Sequence, residues 1–129
     1  MTQQSPQAPL AAPDGFPGTL PEFLVWAELT RRQIQFEFQS SQFGGRLEKG
    51  GLIVDFIIPP DLALSVLGIF FHYSLGGTIS KAHDLLSREI LGQQGFTLIF
   101  LDEDDILNDV RSLVDDAIQR IDRSRMARR

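Results

Sequence analysis

The spacing of apolar residues changes along the chain, and each change predicts a new element. Phe23, Trp26, Ala27 and Thr30 recur at helical spacing. Ahead of them, Thr19-Leu20-Pro21-Glu22 has the form of a capping box with proline in the first turn, and Arg31-Arg32 places positive charge at the helix end. The period then drops to two: Ile34, Phe36 and Phe38 alternate with Gln35, Glu37 and Gln39, which predicts a half-buried strand. Gly44-Gly45 and Gly50-Gly51 bracket a turn-rich connection. Residues 51–58 are apolar at every side chain except Asp55, as a central strand requires, and Pro59-Pro60 ends the run. The run Leu62 to Phe71 also reads as a strand. Residues 78–91 read as a helix with Ile79, Ala82, Leu86 and Ile90 on one face, stopped by Gly92 or Gly95. Residues 96–101 form a nearly all-apolar strand suited to a buried parallel position. A final amphipathic helix over 102–121 buries Ile106, Val110, Leu113, Ala117 and Ile121, with four acidic residues at its positive end. The order α-β-β-β-α-β-α predicts an α/β sheet with helices packed on it.

Composition narrows the picture. A chain of 129 residues with 43% hydrophobic content has the size and apolar share of one domain. Residues 1–18 carry Pro6, Pro9, Pro13 and Pro17 among Gln and small residues, and read as a disordered tail. The domain is expected over 19–122, followed by an arginine-rich tail over 123–129. The N-terminus has no basic start and no apolar core of a signal peptide, and no run approaches the length of a membrane span. A soluble, cytoplasmic protein is expected. The net charge of -5 argues against wholesale coating of nucleic acid, though not against a local basic contact. With no cysteine, disulfides and thiolate metal sites are excluded.

Among residues that could carry chemistry, Asp55 stands out. An ionised carboxylate in an apolar strand is costly unless it is paired or binds a metal. The plainer alternative is a hydrogen bond to a loop or to Arg46. Glu22 sits where a helix-capping glutamate belongs, and capping alone explains it. His72, after an apolar run, could be a general acid/base, a ligand or a structural histidine. The run Asp102 to Asp105 is explained by the helix dipole. Arg120, Arg123, Arg125, Arg128 and Arg129 could touch phosphates or simply favour a helix C-terminus. There is no Ser-His-Asp order, phosphate-cradling glycine loop or zinc spacing.

In order along the chain, Thr19-Leu20-Pro21-Glu22, Phe38-Gln39-Ser40-Ser41, Arg46-Leu47-Glu48-Lys49 between glycine pairs, Val54-Asp55-Phe56, Gly68-Ile69-Phe70-Phe71-His72, Lys81 to Asp84, Gly95-Phe96 and Asp104-Asp105-Ile106 form a set. The set resembles the PD-(D/E)XK nuclease superfamily, in its branch with the very-short-patch-repair endonucleases and small phage and bacterial proteins. The resemblance implies a restriction-endonuclease-like αβββαβ core with a mixed central sheet and a C-terminal helix. It implies magnesium held by Asp55 with Glu22 as auxiliary carboxylate, and His72 as candidate acid/base. Gln39, Arg46, Lys49 and Lys81 are the implied substrate contacts. One departure is plain: the third-strand positions of the family's acidic residue and lysine fall on Ser65 and Leu67. Serine is a poor magnesium ligand beside a carboxylate, and leucine cannot orient water. The first expectation is therefore a nuclease-fold domain with a degenerate active site that binds DNA or a protein partner in a phage or mobile-element setting. An active magnesium-dependent endonuclease or nickase is the alternative, and an unrelated assembly protein the third. A sheet edge makes a homodimer plausible.

Overall fold

The computed structural model describes residues 11–38, 47–49, 52–67, 85–86 and 88–125. Its elements are α1 (Leu20–Arg31), β1 (Glu37–Phe38), β2 (Leu47–Lys49), β3 (Leu52–Val54), β4 (Phe56–Ile58), β5 (Leu62–Leu67), helical residues 88–93, β6 (Thr97–Asp102), α2 (Glu103–Ile118) and a short 3-10 turn (Arg123–Arg125). Four strands make a mixed sheet in the order β1-β4-β5-β6, antiparallel except for the parallel β5–β6 pair, and β2–β3 form a separate two-stranded ribbon. This is the mixed α/β architecture that the change of period predicts, with the C-terminal helix in place.

Period-two alternation divides the sheet's side chains between two layers. Phe56, Ile58, Leu62, Leu64, Ile99 and Leu101 face α1 and α2, where they meet Val25, Leu29, Ile106, Leu113, Val114 and Ala117. Ile57, Ala63, Leu67, Leu98 and Phe100 face the other way, onto Leu91. The central strands read as apolar on both faces because both faces are covered.

Three differences from the sequence reading have local causes. The apolar run 51–58 is not one strand. β3 turns away to pair with β2, with Val54 opposite Leu47, while β4 pairs with β5, with Phe56 opposite Leu64. Asp55 is the residue at the break. In α1, the buried stripe is Glu22, Val25, Glu28 and Leu29 rather than Phe23 and Trp26. Two acidic residues at core-facing positions hide that stripe from a hydrophobic count. In α2, Asp109 leaves helical geometry and its Oδ1 accepts the Ser112 N–H at 3.1 Å, so the helix is recapped partway along.

The ends of the domain are packed. Phe16 lies against Phe23, Trp26 and Phe38 with ring centroids 5.2, 5.6 and 5.4 Å apart, so aromatic packing includes a residue three positions ahead of the Thr19 cap. Arg123 Nε donates to Asp116 Oδ2 at 2.7 Å, tying the segment after α2 back onto that helix. Gly95, at φ 87, terminates the helical residues 88–93 with the Phe96 N–H on the Leu91 carbonyl, as the glycine there predicts. No helix among the described residues is long and apolar enough to cross a membrane.

Candidate functional site: a carboxylate pair at a strand break

The first turn of α1 positions Glu22. Its Oε1 accepts the Thr19 N–H at 2.9 Å while its own N–H donates to Thr19 Oγ1 at 3.3 Å, completing the capping box that the sequence predicts. Glu22 is nonetheless buried, which capping does not require. Gly18 makes room for it: a Cβ there would stand 2.7 Å from Glu22 Oε1 and 2.8 Å from the Phe16 ring.

Asp55 is placed by the break between β3 and β4. Continuing the β4–β5 register by two residues would set Val54 against Val66. Val54 has left for β2, and the Asp55 carboxylate takes up the bond instead, with Oδ2 accepting the Val66 N–H at 2.7 Å. Its main-chain N–H donates to the Leu64 carbonyl at 3.1 Å, beside the Phe56–Leu64 pair of the ladder. The carboxylate thus replaces a missing strand partner.

The surroundings of Asp55 oppose its charge. Burial pushes the Asp55 carboxyl up to about 7, the Val66 hydrogen bond opposes this, the negative charge of Glu22 adds to it, and a hydrogen bond with Ser65 opposes it. No ion pair joins Asp55 to a cation among the described residues, and no group of three or more His, Asp or Glu side chains gathers there.

Of the residues singled out in the sequence, Glu22 and Asp55 are both buried, and the negative charge of Glu22 acts on Asp55. Ser65 joins them as a donor to Asp55, a role invisible in a motif that expects a carboxylate there. Leu67 is buried in the core against the second face of the sheet. Lys49 lies in β2 with its main chain opposite Leu52. Gln39, Arg46, His72 and Lys81 lie outside the described residues.

Among solved structures, the fold matches the catalytic domain of the homing endonuclease I-Bth0305I, with a TM-score of 0.54 and 24% identity, over 78% of this chain and 90% of that domain. No family model and no curated protein matches the chain. The chain thus shares the mixed α/β fold of that domain, with a mixed central sheet and a C-terminal helix as expected.

Proposed function

We propose that this chain is a nuclease-fold domain of the very-short-patch-repair type whose active site is reduced, and that it binds DNA without cutting it. The likeness to a homing endonuclease supports the nuclease ancestry. One observation carries the loss of catalysis. At the carboxylate pair the third strand supplies a hydroxyl, Ser65, and an amide, Val66 N–H, both engaged with Asp55, while Leu67 is turned into the core. No acid or amine from β5 reaches the pair. A phage or mobile-element setting fits a domain of this kind.

The test is plasmid nicking in magnesium and then manganese, run beside fluorescence anisotropy on labelled DNA. Binding without nicking by well-folded protein is the expected result. Metal-dependent nicking that disappears in Asp55→Asn would overturn the reading.

A second reading has its own support. Glu22 and Asp55 are two buried carboxylates, and magnesium is commonly held by one or two carboxylates together with water and phosphate oxygens. The pair fits that donor set, and Glu22 and Asp55 are the residues that would hold the ion. When bound, magnesium stabilises charge on a phosphate and makes a coordinated water more acidic. The chain's own contribution is orientation: Val66 N–H fixes one Asp55 oxygen and Thr19 N–H fixes Glu22 Oε1. The nicking assay decides between the two.

A further inference from the structure

A capping-box glutamate stands at a helix end, where water ordinarily reaches it, yet Glu22 is only 6% exposed. Residues ahead of the helix crowd it. A Cβ on Gly18 would stand 2.7 Å from Glu22 Oε1, 2.8 Å from the Phe16 ring and 3.3 Å from the Phe38 ring. Glycine at that place lets residues 13–18 run close against the carboxylate.

This segment is held to the domain in an uneven way. Its main chain bonds to itself among the described residues: the Phe16 N–H donates to the Pro13 carbonyl at 3.1 Å, and the Gly18 N–H to the Phe16 carbonyl at 2.9 Å. Pro13, Asp14, Gly15 and Pro17 are exposed. Phe16 is the side chain that reaches inward. Its ring meets Phe23 and Trp26 edge-on and stacks on Phe38, which in turn stacks on the core residue Phe56 with centroids 4.7 Å apart. A segment with one apolar anchor and no main-chain bond to the helix or the sheet opens at lower cost than the domain that it lies on.

We propose that residues 13–18 form a movable cover over Glu22, latched by the Phe16 ring, and that solutes reach this carboxylate when the latch lets go. The cover regulates the site discussed above. Magnesium keeps several of its waters when bound to carboxylates, so an ion approaching so enclosed an acid needs the space that opening provides. The cover itself rests on neither reading of the two acids. Nicking tests what Glu22 and Asp55 do, whereas access to Glu22 tests the cover.

Access is measured by carboxyl labelling. The full chain is treated with a water-soluble carbodiimide and an amine, which turn each carboxyl that solvent reaches into an amide, and the modified residues are located by mass spectrometry. In wild type, Asp14 is expected to label readily and Glu22 slowly. Phe16→Ser is expected to speed labelling of Glu22 at least about tenfold, the weight of losing the burial of one aromatic side chain. Phe16→Leu, which keeps an apolar anchor, is expected to hold Glu22 close to its slow wild-type rate. Glu28 is as deeply buried but is fixed by Arg31 and Arg32, and is expected to stay protected in every variant. Hydrogen exchange gives a readout that needs no substitution: the Gly18 amide of wild type is expected to exchange at least about tenfold faster than those of Val25 and Leu29. Unchanged labelling of Glu22 in Phe16→Ser overturns the proposal. So does a joint rise at Glu22 and Glu28, which would make Phe16 part of the core, and so does a Gly18 amide as slow as those of α1.

Discussion

Glu28 and Asp55 are both acidic, both buried, and opposite in every other respect. Glu28 lies among cations: Arg31 donates to it through Nε at 3.0 Å and Nη2 at 2.5 Å, and Arg32 through Nε at 2.7 Å. The Arg31 hydrogen bonds, against the cost of burial and with help from Arg32, hold its carboxyl down at about 2. Arg32 also reaches Asp115 and the Arg111 carbonyl, so the cluster fastens α1 to α2. Asp55 instead faces another acid and two neutral donors, and its carboxyl rises to about 7. Burial of an acid is thus not by itself a sign of function. The sign is an acid whose surroundings oppose its charge.

The largest expected effect is on pH dependence. The folded-state pKa of Asp55 lies above the unfolded value near 3.9, so its protonated form adds stability that is fully present below that value and is lost as pH rises through about 7. Urea denaturation at pH 5 and pH 8 should differ by on the order of 3 kcal/mol, with wild type weaker at pH 8. In Asp55→Asn the difference should shrink sharply and stability at pH 8 should rise. Parallel profiles for the two proteins would erase the contrast between the two acids. Glu28 works in the opposite sense, its contribution falling away as pH drops below about 4 toward its lowered pKa.

Next in size, Glu28→Gln should destabilise the fold by about 2 kcal/mol at pH 7, since it removes the buried negative charge that Arg31 and Arg32 share. The figure is held down because Arg31 is half-exposed and water screens that pair. Stabilisation by this change would mean that Glu28 is no strut. Gly18→Ala forces a Cβ against Glu22 and Phe16 and should cost about 1–2 kcal/mol. If Glu22 moves away in consequence, the Asp55 pKa falls, which a carboxyl-carbon NMR titration reads directly. Smallest, Ser65→Ala should cost about 1 kcal/mol and raise the Asp55 pKa further, because a donor to its charged form is gone. A lowered pKa in that variant would contradict the hydrogen bond.

Much of this fold was legible in the sequence because most of its segments obey one rule at a time. The alternation into Phe36 and Phe38, the apolar run into β6 and the heavy acidic start of α2 each announce their element. The Thr19–Glu22 capping box was legible to the atom. What escaped lies where one residue serves two roles. Glu22 caps its helix and also raises the Asp55 carboxyl through its charge, and sequence spacing shows the first alone. Asp55 interrupts an apolar run, which flags it, but nothing local says that its side chain replaces a strand partner for Val66. The cluster of Arg88, Phe100 and Asp122 joins residues 34 apart in sequence at its extremes, and no short motif connects them.

The place of Asp122 in the chain bears on synthesis. Among the described residues β6 stands at the end of the sheet, and its Phe100 N–H is satisfied by the Asp122 side chain rather than by another strand. A chain emerging from the ribosome acquires α1, α2 and β1 to β6 before this residue becomes available. Until then the outer rim of β6 presents an open hydrogen-bonding group, the kind of rim on which nascent chains associate. The seal on β6 is therefore translated after the four described strands of the sheet that it closes.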